Sequence, residues 1–225
     1  MVFLGFLLLL LTILPVLWVN FVMKKYDRLL VKMPFNGLEF GNEILQENGL
    51  KNVRIEKTTV ADHYDLNEKK VKVHGSRLSR KSLTSISIVC HEIGHAIQHD
   101  QKYKPLLRRN EIVKNTSWLI NLSSLVIYMG FPILITTGSF HLIKICIGLF
   151  IFSTLLSTFI HLMTLDVELD ASFNKAFPII QKKVPPQYHK ACRSILKAAA
   201  FTYVIGVFRN ILSLRFLWML ISRIR

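Results

Sequence analysis

Long uncharged runs restrict this chain of 225 residues more than any other feature of its sequence. Residues 1–23 carry no charged side chain, and from Thr116 to Thr164 the only formal charge is Lys144. About 20 consecutive apolar residues are enough for a helix to cross the hydrocarbon core of a bilayer. These runs exclude an ordinary soluble globule, and we predict a mainly α-helical integral-membrane bundle.

The apolar runs predict three to four membrane spans. The first is the run at 1–23, and two more, near Ser117–Thr137 and Leu142–Met163, should form a helical hairpin. A fourth apolar helix begins near Ile195 and contains Arg209, Asn210 and Arg215. Two alternatives stay open for it: it crosses the bilayer, or it lies along the surface with its basic side chains snorkelling.

The positive charge flanks these runs. The chain has 29 Lys and Arg against 14 Asp and Glu, a net charge of +15. Lys24, Lys25, Arg28 and Lys32 directly follow the first run, which the positive-inside rule places on the cytoplasmic side. This distribution predicts the lipid bilayer as a partner, and we do not expect nucleic acid as one.

Five regions follow from these patterns. In the polar region between the first two spans, apolar and polar residues alternate at Asn52–Lys57 and Lys70–His74, which predicts two short strands. A helix is predicted over Ser79–Asp100. Asp62–Asp65, between the strands, is interpreted as a polar turn. We predict an anchor (1–23), a small α+β catalytic region (24–116), a transmembrane hairpin (117–163), a polar helix with a basic linker (164–197) and a C-terminal membrane or interfacial helix (198–225).

The string HEIGH at His91–His95 has the spacing of a metal site. Residues four apart on a helix share one face, so both imidazoles can bind one zinc ion. Glu92 lies beside them and can accept a proton from a metal-bound water. The alternative interpretation is a helix with two surface histidines and an incidental glutamate.

A catalytic zinc needs a third protein ligand and an open position. His99 lies one turn further along the same helix, but a straight helix cannot easily wrap three turns around one small ion. Glu168 is the better candidate, because a hairpin that crosses the bilayer and returns would place it beside the two histidines. Asp166 and Asp170 remain alternatives, and all three acids could instead be solvated at the end of the helix.

The chain resembles the neutral zinc metallopeptidases of bacterial membranes, a family similar in mechanism to the HtpX-type and CAAX-prenyl membrane proteases. The four stretches that carry the resemblance span most of the chain. They are DHYDLNEKKVKV at Asp62–Val73, HEIGHAIQH at His91–His99, VELDAS at Val167–Ser172 and LKAAAFTYV at Leu196–Val204.

The resemblance implies a zincin-like, gluzincin-type site with one zinc per chain, held by His91, His95 and Glu168, with Glu92 as general base. HtpX-like enzymes often carry an Asp four residues after the ligand Glu, where this chain has Ser172. We therefore expect Asp170 or Asp166 to orient a ligand histidine instead.

The resemblance also concerns the strand before the zinc helix. Lys70–His74 resembles the edge strand on which such proteases lay an extended substrate, and strand addition would give main-chain affinity with little sequence preference.

The expected function is a membrane-embedded zinc endopeptidase that acts on proteins or peptides, membrane proteins among them. We place it in the bacterial plasma membrane with its site on the cytoplasmic side. The alternative is a non-catalytic membrane scaffold or lipid-binding protein with a vestigial zinc site. An intact Glu92 argues against the alternative, because a structural zinc does not need that carboxylate.

Overall fold

The computed structural model describes residues 2–126, 129, 136, 138 and 140–221, and in that part the chain is mainly helical with one small three-stranded sheet. The strands are β1 (Arg54–Thr58), β2 (His63–Asp65) and β3 (Lys70–His74). The helices are α1 (Val2–Lys25), α2 (Gly37–Glu47), α3 (Gly75–Leu78), α4 (Leu83–Asp100), α5 (Lys104–Leu125), α6 (Phe140–Leu169), α7 (Phe177–Lys183) and α8 (His189–Ile221). A π-helical segment, Asp170–Ala176, joins α6 to α7, and a 3₁₀ turn, Pro186–Tyr188, precedes α8.

Two helical stretches among the described residues are long and apolar enough to cross a membrane, fewer than the three to four predicted. They are His141–Lys183 and Pro186–Arg215. The first predicted run forms α1, but most of its first twelve side chains lie outside the described residues, as does much of the predicted span near Ser117–Thr137. The count of spans beyond two therefore stays a prediction.

The apolar helices present large side chains outward. On α6, Ile145 is 65% exposed and Phe159 is 52% exposed, and on α8 Phe208 is 59% exposed. Large contiguous apolar patches are uncommon on soluble monomers, and long apolar helices with many exposed side chains are a source of them. This pattern is typical of helix faces that contact lipid.

The sheet differs from the prediction in its order, which is β1-β3-β2. Strand β3 pairs in parallel with β1 and antiparallel with β2, so Lys70–His74 is the central strand and not an edge strand. The segment interpreted as a turn, Asp62–Asp65, contains β2, which supplies an outer edge instead. The expectation was wrong because no local pattern shows that a three-residue strand covers the second side of β3.

Helix α4 is buried along almost its whole length between the sheet, α2, α8 and the π-helical segment. It begins at Leu83, later than predicted, because Ser79 ends the short helix α3. The Ser82 hydroxyl accepts a hydrogen bond from the Ser85 amide and caps the first turn.

Helix α6 continues past its apolar stretch into the polar residues, which brings its backbone close to α4. It runs without a break through the π-helical segment to Lys183, although Pro178 lies within this stretch. Proline lacks an N–H, and its position directly after the wider π turn makes that loss tolerable. A side chain at Gly94 would place its Cβ 2.7 Å from the Ala171 carbonyl oxygen. Glycine at this position therefore lets the two helices touch.

We expect Gly94→Ala to lower the unfolding temperature in detergent, measured at one fixed heating rate. The added methyl meets rigid backbone, and overpacking of about 1–3 kcal/mol outweighs the gain of about 1 kcal/mol in helix propensity. Gly148→Ala is the matched control, since nothing lies within 4 Å of its Cβ position. Equal shifts in the two variants would show that close approach at Gly94 does not matter.

Candidate metal centre

Two helices bring the predicted ligands together. His91 and His95 lie one turn apart on α4, and Glu168 reaches them from the end of α6. Glu168 Oε2 lies 3.0 Å from His91 Nε2 and 3.5 Å from His95 Nε2. All three residues are buried, and their ligand atoms lie within 4.8 Å of one another.

This donor set fits a tetrahedral zinc ion. Zinc binds imidazole nitrogen and carboxylate oxygen at about 2.0–2.2 Å, so tetrahedral ligand atoms stand about 3.4 Å apart. The separations of 3.0 and 3.5 Å around Glu168 are close to that value. Three protein ligands leave the fourth position open, which is the arrangement of catalytic rather than structural zinc.

Each histidine has a partner at its other ring nitrogen. His91 Nδ1 lies 3.1 Å from Ser172 Oγ, and His95 Nδ1 lies 3.0 Å from Gln98 Oε1. When Nδ1 carries the proton and donates it to these oxygens, Nε2 is free to bind metal. Ser172, which stands where related enzymes often have an aspartate, therefore orients the ligand His91 itself.

Asp170 acts through Gln98 rather than on a histidine. The fully buried Gln98 amide nitrogen donates to Asp170 Oδ2 at 2.8 Å and to the Val167 carbonyl at 2.9 Å. These two acceptors orient the amide so that its oxygen faces His95. Asp166 has no comparable contact among the described residues, so of the two acids expected to orient a ligand histidine it is Asp170 that does so, through Gln98 and not by direct contact.

Opposing influences act on the pKa of His95. Burial lowers it, but the Glu168 carboxylate, with help from Glu92 and Gln98, outweighs burial and raises the pKa above its ordinary value. Without a metal, the His95 imidazole and the Glu168 carboxylate therefore form an ion pair. A metal ion that binds here replaces the proton of that pair.

Glu92 lines both of the clefts that meet at this site. The larger cleft, about 620 Å³, extends toward Asp27 and Arg77. The smaller cleft, about 110 Å³, extends toward β2 and Arg109. Five residues are common to the two: Asp62, His91, Glu92, Glu168 and Tyr203. The candidate metal centre is thus open on two sides.

His99 is not part of the ligand cluster. Its Nδ1 lies 2.9 Å from the Tyr64 hydroxyl. Tyr64 separates the smaller cleft from a second pocket, and His99 lines that second pocket. His63 Nδ1 donates a hydrogen bond to the Ala61 carbonyl in the turn before β2. The His63 side chain also lines the smaller cleft.

Sequence reasoning did not single out Tyr203, Arg109 or the pair of Asp62 and Arg77, although all line the clefts. Arg77 forms an ion pair with Asp62, and Arg109 donates to Thr164 Oγ1 at 3.3 Å. Tyr203 lies in the LKAAAFTYV stretch, which was the one available signal. Tyr203 lines both clefts together with Glu168.

Comparison with known proteins agrees with this geometry. A family described as "Putative neutral zinc metallopeptidase" matches residues 1–222. The chain is also 31% identical over 205 residues to "Putative membrane protease YugP" of Bacillus subtilis (strain 168), which covers 88% of this chain and 87% of that relative. No solved structure matches the chain.

Loss of the Asp170 carboxylate should weaken metal binding. We expect Asp170→Ala to lower zinc affinity by about 10–100-fold, because Gln98 loses one of the two acceptors that orient it. Competition with a chromogenic chelator measures the affinity. Asp166→Ala is the matched control, since the exposed Asp166 side chain lies outside this network; equal affinities of the two variants would contradict the proposed chain of contacts.

Zinc binding should release protons at neutral pH. Because the pKa of His95 is raised, the metal-free protein still holds its proton at pH 7.5, where an ordinary imidazole has largely lost it. Calorimetric titration in two buffers of different ionisation enthalpy should give about one proton released per zinc. Apparent affinity should accordingly rise with pH above 7. Release of almost no proton would show that His95 is neutral before zinc binds.

Proposed function

The chain belongs to the putative neutral zinc metallopeptidase family, and on that premise we propose that it is a membrane-embedded zinc endopeptidase with Glu92 as general base. The observation that carries this proposal is the convergence of His91, His95 and Glu168 beside Glu92 in an accessible cleft. A structural zinc would need neither the open position nor a neighbouring carboxylate.

The proposed reaction divides the work between the metal and the protein. Zinc, when bound, would lower the pKa of a coordinated water toward about 7 and polarise the scissile carbonyl. Glu92 accepts the proton of the attacking water and then delivers a proton to the leaving amine. No covalent intermediate with the protein is needed.

Tyr203 is the proposed donor to the reacting carbonyl oxygen. It comes from α8 and borders both clefts together with the ligand Glu168. A hydroxyl in this position can donate a hydrogen bond that strengthens as negative charge develops on the oxygen.

Cleavage within a chain, rather than at its ends, fits the two-sided opening. A polypeptide can lie across the metal with one part in each cleft, and neither cleft needs to accommodate a free terminus. The outer edge of β2 borders the smaller cleft and can pair with an extended segment through main-chain hydrogen bonds. This edge takes the role that sequence analysis gave to Lys70–His74. The proposed substrates are therefore proteins or peptides with little sequence restriction.

The proposed location is the lipid bilayer, with the site on the cytoplasmic side. Exposed apolar faces on α6 and α8, two candidate spans and a relative described as a membrane protease support the membrane. The cytoplasmic side rests on the basic residues at 24–32 and on the positive-inside rule.

The competing proposal is a membrane scaffold or lipid-binding protein with a vestigial zinc site. It requires neither Glu92 in the cleft nor a second cleft across the metal, and no feature of the described residues favours it over a peptidase.

Two variants separate these proposals. We expect Glu92→Gln to retain about one zinc per chain, because Glu92 is not a ligand, but to lose hydrolysis of a labelled peptide because the proton acceptor is gone. Glu168→Ala should lose both zinc and hydrolysis. Metal analysis of purified protein and a fluorescence assay provide the two readouts. Full hydrolysis by Glu92→Gln would exclude the proposed mechanism.

Removal of one hydroxyl tests Tyr203. We expect Tyr203→Phe to lower kcat by about 10²–10³-fold, with zinc content and KM little changed, because the lost interaction forms mainly in the transition state. Tyr188→Phe, in the 3₁₀ turn away from both clefts, is the control and should behave like wild type. A change in KM alone would instead assign Tyr203 to substrate binding.

A further inference from the structure

We propose that this site selects its substrates by depth: it cuts polypeptides anchored in the same bilayer, within the first few residues beyond the anchor's apolar run. The inference rests on the peptidase activity proposed above and names the class of substrate and the position of the cut. The inference is based on the height of the metal centre relative to the apolar surface of the protein. This height can be measured separately along three helices.

Helix α6 gives the first measure of height. Its apolar stretch ends near Met163, and the ligand Glu168 lies five residues further along the same continuous helix. At 1.5 Å of rise per residue, the metal centre stands about 8 Å or less beyond the apolar boundary of α6. That height lies within the headgroup layer, since headgroup regions add only about 5–8 Å on each side of the hydrocarbon core.

Helix α8 places the floor of the larger cleft at the same level or lower. Ala199, Thr202 and Tyr203 form part of that floor. Three residues beyond Tyr203, Gly206 packs against the ring of His161, within the apolar stretch of α6. The floor therefore lies about one helical turn from side chains in the apolar layer.

Helix α1 agrees with the other two. Trp18 contacts Phe201 edge to face, with ring centroids 5.5 Å apart. Trp18 lies five residues before Met23, where the apolar run of α1 ends, and is 40% exposed at the protein surface. Phe201 lies between Ala199 and Thr202 of the cleft floor, so this floor is level with the last turns of the apolar helix α1.

The outward faces just below this level, and deeper along the same helices, are apolar. On α6 Leu155 is 54% exposed and Leu162 is 50% exposed, and on α1 Phe21 is 62% exposed. Burial of such faces in lipid holds the whole molecule at one depth, because each large apolar side chain moved into water costs about 1.5–3 kcal/mol. The metal centre cannot rise to meet a substrate far from the membrane.

A fixed height limits which bonds can reach the metal. An extended segment rises at most about 3.3–3.6 Å per residue, and a helical one about 1.5 Å. A chain that leaves the apolar layer therefore passes the site about two residues beyond its anchor when extended and about five when helical. A site with main-chain recognition and a fixed depth discriminates by position rather than by sequence. Folded soluble proteins present no flexible segment at that height.

The test uses synthetic substrates and wild-type protein in phosphatidylcholine and phosphatidylglycerol vesicles. Each substrate has one 20-residue apolar helix followed by a flexible cleavable segment of constant sequence. In the first series the segment follows the helix directly, or is shifted outward by two, four or six Ser-Gly residues. Mass spectrometry locates the cut. We expect the cut to stay about two to five residues beyond the helix in every member, so that it moves through the sequence as the segment is shifted.

A second pair of substrates separates depth from simple anchoring. One carries a stiff helical spacer of about 15 residues, which lifts the segment by about 20 Å while it remains anchored. The other is the free segment without an anchor. Both should be cut at least tenfold more slowly than the directly attached segment, and Glu92→Gln should cut none of them.

The outcomes distinguish this inference from the proposed function. If the cut keeps to one sequence as the segment is shifted, or if the lifted or free segment is cut as fast as the attached one, selection by depth is wrong and the Glu92-dependent peptidase stands. If zinc-loaded wild type cuts none of the substrates, both proposals fail.

Discussion

The contact between α4 and the end of α6 with its π-helical extension is the interaction on which the rest of the site depends. It joins a helix of the polar region to a helix that continues into the apolar layer. At Gly94 the approach is so close that even a methyl group would meet the Ala171 carbonyl. The same contact brings Glu168 within 3.0 Å of His91 and places Ser172 against the other side of that ring. One packing interface therefore sets both the ligand geometry and the support for it.

This interface concentrates polar groups that are expensive to bury. Glu168, His91, His95 and Gln98 are all buried, and a carboxylate away from water is strongly unfavourable unless it is paired. Each group has a partner: Glu168 has the histidines, His95 has Gln98, and Gln98 has Asp170 and the Val167 carbonyl. A network in which all members are satisfied is rigid, which suits a metal site that must hold its ligands in a fixed arrangement.

The arrangement of the helices would let the proposed peptidase be embedded in a membrane and still open to water. Helix α4, which carries His91, Glu92 and His95, packs among the sheet, α2 and α8. Glu168 and Tyr203 come from helices with exposed apolar faces, and both stand where those faces give way to polar residues. Water and an extended peptide can therefore reach the metal without entering the hydrocarbon layer.

Local spacing in the chain is sufficient for α4, its serine cap, strands β1 and β3, and the pairing of His91 with His95, because each depends on neighbours a few residues away. The hairpin argument placed the polar end of α6 beside these histidines but left Asp166 and Asp170 open as ligands, and the family resemblance pointed to Glu168. Spacing could not show that β2 covers β3, that Gln98 passes the orienting role of Asp170 to His95, or that Tyr203 faces the metal centre. The first of these relations depends on pairing between strands. The other two join residues far apart in the chain, which only the packing of α4, α6 and α8 brings together.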